Sequence, residues 1–179
     1  MTKKELREQY LNKRNALSDE YRKDADRIIF QKLILTDEFT ESDLILVYVS
    51  VGAEIDTTAI IDYAFKHGKS VAVPYCGKGR MDFYIINSTD ELVCKQFGIP
   101  VVDISGRNSV VVTEKNLCIV PALCVDKNNN RLGYGGGYYD KFLSENRVNN
   151  ICLVRKDFIV DDIGAEIFDY KIAKLLSDN

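Results

Sequence analysis

The chain has 179 residues, 24 Lys+Arg against 27 Asp+Glu, a formal charge of −3 at pH 7 and 46% apolar residues. That length suits one domain, in which roughly 70% of the unfolded chain's surface is buried without disulfide or metal staples. The ordinary apolar content argues against wholesale disorder, and the slight acidic surplus argues against a nucleic-acid binder.

The first residues, Met1 to Arg14, are charged from residue 3 and lack the apolar stretch of a signal peptide. Lys3 to Leu17 reads as a helix, with Leu6, Tyr10 and Leu17 in one sector and Lys3, Lys4, Arg7 and Arg14 in the sector beside it. Ser18 is suited to cap a second helix towards Leu35, and Asp19 and Glu20 suit its first turn. Leu44 to Val51 is a continuous apolar run rich in β-branched residues, expected as a strand buried on both faces. Asp56-Thr57-Thr58 opens a helix through Lys66, and Gly68 is placed to end it. Ser70–Pro74, Met81–Ile86, Leu117–Val125 and Ile151–Val154 are further strands, and Tyr138–Glu145 is a helix. The apolar run Leu117–Val125 contains Pro121 and is far short of a membrane span. Asn87 to Ser109 and the tail after Asp157 carry no clear period. Alternating strands and helices predict one α/β domain over residues 1–179, with a mostly parallel sheet covered by helices and no linker.

Five cysteines, at positions 76, 94, 118, 124 and 152, contain no C-x-x-C pair and form an odd set. They read as reduced thiols and place the protein in a reducing compartment, the cytoplasm.

The strongest chemical signal is Asp126-Lys-Asn-Asn-Asn-Arg131-Leu-Gly133-Tyr-Gly135-Gly136-Gly137-Tyr138-Tyr139-Asp140, between a buried strand and a helix. Clustered glycines let backbone N–H groups turn inward, and the helix N-terminus adds partial positive charge, so the loop suits a phosphate. Arg131 would add a forked cation, and Asp140 sits where a carboxylate could hold Mg²⁺ bridging phosphates. There is no P-loop and no G-x-G-x-x-G dinucleotide fingerprint. The bland alternative is that Gly133–Gly137 only makes a tight turn. The basic stripe of the first helix is either a solvated face or a second phosphate contact, since Lys3 and Arg7 border the apolar seam. Glu54 follows a buried strand at the edge where open α/β sheets bind ligands, and reads as a site acid or as part of the next helix start. His67, the one histidine, removes most triad chemistry and reads as a structural helix-end residue.

Taken together, these segments resemble the 5-formyltetrahydrofolate cyclo-ligase (5,10-methenyltetrahydrofolate synthetase) family along almost the whole chain. The resemblance runs through Lys3-Lys-Glu-Leu-Arg7 and Arg14, Val47-Tyr-Val49-Ser-Val-Gly-Ala-Glu54-Ile-Asp56, Val71-Ala-Val-Pro74 and Phe97-Gly-Ile-Pro100. Its most specific element is Val120-Pro121, Asp126 and the run Arg131–Asp140. It implies a three-layer α/β/α fold, Rossmann-like without the dinucleotide fingerprint. It also implies an enzyme that uses MgATP to cyclise 5-formyltetrahydrofolate to 5,10-methenyltetrahydrofolate through a phosphorylated formyl intermediate, releasing ADP and phosphate.

By position, the resemblance assigns ATP binding to Lys3, Lys4, Glu5, Leu6 and Arg7 and to Arg131, Leu132, Gly133, Tyr134, Gly135, Gly136, Gly137, Tyr138 and Tyr139. Arg131 and Tyr139 fall at the catalytic centre. Val49, Glu54 and Phe97 would bind the folate, and Asp140 and Asp169 the Mg²⁺. It implies small-molecule substrates only, with no nucleic-acid or membrane partner, and a monomer or weak homodimer. The chain departs from the family pattern at Ile167 and Phe168 (usually Pro-His), at Val125 (usually Phe), at Asn129-Asn130 (usually a glycine turn) and at Arg155-Lys156. The rival readings are a sugar-phosphate isomerase and a phosphate-binding sensor module without turnover.

Overall fold

The computed structural model describes residues 1–77, 79–94 and 98–179. Helix α1 (Lys3–Asn15) starts at a capping box: the Glu5 N–H donates to Thr2 Oγ1 and the Thr2 N–H to Glu5 Oε2. Ser18 caps α2 (Asp19–Leu33), its Oγ accepting from the Tyr21 N–H, and Thr36 caps the short α3 (Asp37–Thr40). Next come β1 (Leu44–Val47), α4 (Thr58–Lys66), β2 (Ser70–Gly77), β3 (Arg80–Ile86), β4 (Leu92–Cys94), β5 (Pro100–Val102) and β6 (Leu117–Val120). The chain continues through β7 (Cys124–Asp126), β8 (Arg131–Leu132), α5 (Tyr138–Glu145), β9 (Asn149–Leu153), β10 (Ile159–Val160) and β11 (Lys174–Leu176).

A six-stranded sheet runs β11-β9-β6-β1-β2-β3, parallel except for the edge pair β2–β3. Alternation along the central strands sorts side chains to two covered faces. Ile45, Val47, Val71, Val73, Leu117, Ile119, Ile151 and Leu153 pack under α2, α3 and α4. Leu46, Ala72, Cys118, Val120 and Cys152 face the other way, towards α1 and α5. The result is a three-layer α/β/α architecture with a mostly parallel sheet. The smaller residues Ala72, Cys118 and Cys152 lie on the face that also carries Arg131 and Tyr139.

Two expected strands are shorter than the apolar runs that suggested them. Leu44–Val51 leaves the sheet after Val47 because the buried Thr57 takes over its backbone: Thr57 Oγ1 donates to the Tyr48 carbonyl at 2.7 Å and accepts from the Ser50 N–H at 3.2 Å. Leu117–Val125 is two strands rather than one, since Pro121 has no N–H for the ladder. Its second half, β7, joins a three-stranded sheet, antiparallel to β8 and parallel to β10.

The β7–β8 turn is organised by the fully buried Asp126, whose Oδ1 accepts from the Asn128 and Asn130 N–H groups. Asn129 takes the left-handed conformation there, φ 65°, which accounts for asparagine in place of a glycine turn. In the unpatterned stretch, β4 and β5 form a two-stranded antiparallel sheet. In the tail, β11 adds a parallel edge strand to β9. Among the described residues no helix is long and apolar enough to cross a membrane. Cys76, Cys118, Cys124 and Cys152 are free thiols. His67 caps α4, where its Nδ1–H donates to the Tyr63 carbonyl at 2.8 Å and its ring stacks on Tyr63.

Candidate active site

A cavity of about 900 Å³ opens beyond the carboxyl ends of the parallel strands, where α/β sheets place ligands. Its lining includes the first helix, the loop after β1, the ends of β2 and β3, residues 99–101, Pro121, the run from Arg131 into α5 and the segment before β11.

The glycine run provides space and free donors. Gly137 is the N-cap of α5 in the left-handed conformation, φ 66°. Among the described residues, the N–H groups of Tyr134 to Gly137 donate to no protein acceptor. The glycines are also spacers for cations. A Cβ on Gly133 would stand 2.6 Å from Arg131 Nη1, and one on Gly135 would stand 3.3 Å from Arg7 Cζ. Arg7 Nε donates to the Gly133 carbonyl at 2.9 Å, fixing its guanidinium against the loop.

Arg131 is 6% exposed, lies over the Tyr139 ring and contacts Asp140 Oδ1 through Nη2 at 3.2 Å. Its Nε and the Tyr139 hydroxyl are buried without a hydrogen-bond partner among the described residues. Burial holds the Tyr139 hydroxyl protonated far above its ordinary range, although Arg131 pulls the other way. It also pushes the Cys152 thiol beneath up to about 12. The thiols are therefore neutral, and the charge here comes from arginine, lysine and aspartate.

Lys3 Nζ bridges Asp169 at 2.5 Å and Glu166 at 2.8 Å. Burial opposes the charged forms of both Lys3 and Asp169. The pairing outweighs it, raising the lysine, and together with the Glu166 N–H it lowers the aspartate. Asp140 Oδ1 accepts from the Tyr170 N–H and pairs with Arg131 Nη2 at 3.2 Å, and Asp169 Oδ2 accepts from Lys3 and the Glu166 N–H. One oxygen of each carboxylate is therefore uncommitted among the described residues. Among the described residues no group of three or more His, Cys, Asp or Glu side chains converges there.

Glu54 sits on the far side of the glycine run. Its Oε2 accepts from the Val51 N–H at 2.9 Å, its Oε1 accepts from the Tyr134 hydroxyl, and Arg14 Nη1 stands 4.0 Å from Oε1. Arg14 is 7% exposed and also lies over the Tyr134 ring. Burial and the adjacent Glu54 carboxylate push the Tyr134 hydroxyl well above its ordinary range.

The cavity thus brings together Lys3, Arg7, Arg131 to Tyr139, Val49, Glu54, Asp140 and Asp169. It leaves out three expected residues of α1. Lys4 and Glu5 are exposed on the far side of the helix, and Leu6 is 8% exposed in the core. The sector that groups Lys4 with them is too wide: at about 100° per residue Lys3, Arg7 and Arg14 fall within about 40°, and Lys4 lies about 60° beyond Arg7. Phe97 lies outside the described residues. Lining residues that sequence reasoning missed include Arg14, Ile99, Pro100 and Val101. Arg14 was legible from its place on the Lys3–Arg7 stripe; the others lie in a segment without periodicity. Phe168 is 70% exposed, and Lys3 Nζ stands 5.5 Å from its ring centroid.

The profile of the 5-formyltetrahydrofolate cyclo-ligase family matches residues 1–178. The Mus musculus 5-formyltetrahydrofolate cyclo-ligase is 27% identical over 190 aligned positions, covering 99% of this chain and 94% of its own. A probable 5-formyltetrahydrofolate cyclo-ligase of Schizosaccharomyces pombe is 31% identical over 142 positions, 69% of each chain. The NMR structure of the Aquifex aeolicus 5,10-methenyltetrahydrofolate synthetase superposes with a TM-score of 0.83 at 25% identity, covering 99% of this chain and 90% of that one. The corresponding Mycoplasma pneumoniae structure shares the fold, with a TM-score of 0.79 at 21% identity. With a cavity of this make-up, the chain belongs to the 5-formyltetrahydrofolate cyclo-ligase family, a family of ligases.

Proposed function

We propose that the protein cyclises 5-formyltetrahydrofolate to 5,10-methenyltetrahydrofolate at the expense of ATP, with Mg²⁺, through a phosphorylated formyl intermediate. The observation that carries this reading is that the phosphate-suited run Arg131–Gly137 and the acid Glu54 line one cavity and touch through Tyr134. A reaction joining a nucleotide's γ-phosphate to a folate's formyl oxygen needs both recognition elements on one wall.

In this reading the N–H groups of Tyr134 to Gly137 and the α5 N-terminus receive the phosphates. Lys3, Arg7 and Arg131 neutralise charge on the transferring group. Glu54 accepts hydrogen bonds from the pterin, and Val49 packs beside it. The uncommitted oxygens of Asp140 and Asp169 suit Mg²⁺, which takes one or two carboxylates and completes its shell with phosphate oxygens and water. When bound there, the metal would supply neutralisation of phosphate charge.

The formyl oxygen attacks the γ-phosphorus as the bond to ADP breaks, N10 attacks the activated formyl carbon and gives its proton to solvent, and the C–O bond then breaks so that phosphate leaves and the methenyl ring forms. No step requires a titrating histidine; positioning and electrostatics suffice. Tyr139 holds a buried O–H donor with no partner among the described residues, ready for an oxygen of the transferring phosphoryl group. The free thiols and the family's substrates fit a cytoplasmic enzyme, active as one domain over residues 1–179.

Calorimetry on Glu54→Gln tests the division of labour. The expected result is about tenfold weaker 5-formyltetrahydrofolate binding, matching one charge-assisted hydrogen bond, with binding of a non-hydrolysable Mg–ATP analogue unchanged. A variant that loses the nucleotide and keeps the folate would overturn the assignment.

A further inference from the structure

We propose that the buried Asp26–Arg155 ion pair is a positioning device for Glu54, and that it sets the site's affinity for its folate substrate without touching that substrate. This deepens the reading in which Glu54 recognises the pterin and rests on it.

Arg155 follows β9 and is 3% exposed. A guanidinium buried this deeply is costly to desolvate unless its donors are met, and an apolar residue of similar volume commonly stabilises a fold as well. Its presence therefore calls for a reason other than stability.

Every nitrogen of the Arg155 fork is engaged. Nε and Nη2 grip the two oxygens of Asp26 on α2, each at 2.9 Å. The remaining donors reach across to the loop after β1, with Nη1 to the Ala53 carbonyl at 3.0 Å and Nη2 to the Glu54 carbonyl at 3.1 Å. Those two carbonyls belong to the peptide groups on either side of the Glu54 Cα. Peptide groups are planar, so holding both carbonyls fixes φ and ψ at Glu54, and with them the direction of its Cα–Cβ bond. Asp26 Oδ2 also accepts from the Asp56 N–H at 3.0 Å, pinning the loop two residues further on.

Neither Asp26 nor Arg155 lines the 900 Å³ cavity, so the pair acts on Glu54 only through the backbone. The side chain of Glu54 is held independently from the cavity side, by the Val51 N–H, Tyr134 and Arg14. The carboxylate is thus fixed from two directions, and the backbone half of that support comes from a residue pair remote from any reacting atom.

A double-mutant cycle tests this. KM for 5-formyltetrahydrofolate and for ATP, kcat and urea unfolding are measured for Arg155→Met, Glu54→Gln and the double variant. The expected result is a rise of about tenfold in folate KM for Arg155→Met with ATP KM unchanged. Added to Glu54→Gln, the same change should cost less than about twofold more, because the group it positions is already disabled.

Asp26→Asn and Arg155→Lys run the same cycle with a buried polar pair retained, so the test does not depend on the methionine variant folding. Lysine cannot reproduce a two-sided fork, so Arg155→Lys should show the same folate-selective rise. Equal changes in folate and ATP parameters, or Arg155 and Glu54 effects that multiply in full, would overturn the proposal as a purely structural pair. Unchanged folate KM in Glu54→Gln alone would overturn the underlying assignment of Glu54, and the proposal with it.

Discussion

Gly133→Ala probes the seat of Arg131 without touching a charged group. The backbone at Gly133 is outside the left-handed region, so alanine brings no conformational strain, and the added methyl meets only the Arg131 guanidinium. Its Cβ would stand 2.6 Å from Nη1, where ordinary contact begins at 3.4 Å, so the guanidinium must retreat by about 0.8 Å. The Arg131 side chain is 4% exposed and its contact with Asp140 is already 3.2 Å, so the retreat is not absorbed by solvent.

A charge-assisted phosphate contact is worth about 1.5–3 kcal/mol, and displacements near 1 Å at a reacting centre cost up to about a hundredfold. The expected loss in kcat/KM for ATP is therefore about 10- to 100-fold, read from initial rates at saturating 5-formyltetrahydrofolate. Stability should change by less than about 1 kcal/mol. Gly137→Ala is the contrasting control: no atom lies within 4 Å of its Cβ, but φ is +66°, so it should lose about 1 kcal/mol of stability. Wild-type ATP kinetics in Gly133→Ala would refute the placement of Arg131 at the transferring phosphate.

Three other changes follow from the same geometry. Tyr139→Phe removes a buried hydroxyl with no internal partner, so urea unfolding should show stability unchanged or raised by about 1 kcal/mol, while kcat falls; a destabilised enzyme of normal kcat would contradict this. Asn129→Ala should cost about 1 kcal/mol because φ is 65° there, whereas Asn129→Gly should be neutral within about 0.5 kcal/mol; equal losses would show that the turn depends on the side chain. Hydrogen bonding to Lys174 holds the Glu38 carboxyl below its ordinary 4.5, so its contribution is fully present above 4.5 and disappears as pH falls through the lower folded value. The pair is partly exposed, so thermal melts of Glu38→Gln should lose less than about 1 kcal/mol at neutral pH and match wild type in strong acid; a difference that persists in acid would refute the pairing.

The parallel core was legible because its strands are buried on both faces and read as unbroken apolar runs. The same property hid their ends. Apolarity continues past Val47 and Val120, but hydrogen bonding does not: Thr57 captures the chain in one case and Pro121 breaks the ladder in the other. The edge pieces β8, β10 and β11, two or three residues each, are too short to show a period and exist only through partners distant in sequence.

At the site, the glycine run announced itself because left-handed turns and close approach restrict the residue type. Glu54 was visible from its position after a buried strand. Arg155 stood out as unusual, but its role was not readable, since the carbonyls it holds lie 101 and 102 positions away. Arg14 followed the helical stripe of Lys3 and Arg7, yet its contact with Tyr134 depends on how α1 docks against the glycine run.

The most direct test is to mix the purified protein with 5-formyltetrahydrofolate, ATP and Mg²⁺ and follow the near-ultraviolet absorbance of 5,10-methenyltetrahydrofolate alongside phosphate release. The chromophore is expected only in the complete mixture, with one phosphate released per molecule formed. Chromophore without ATP, or ATP consumed without chromophore by folded protein, would contradict the proposed reaction.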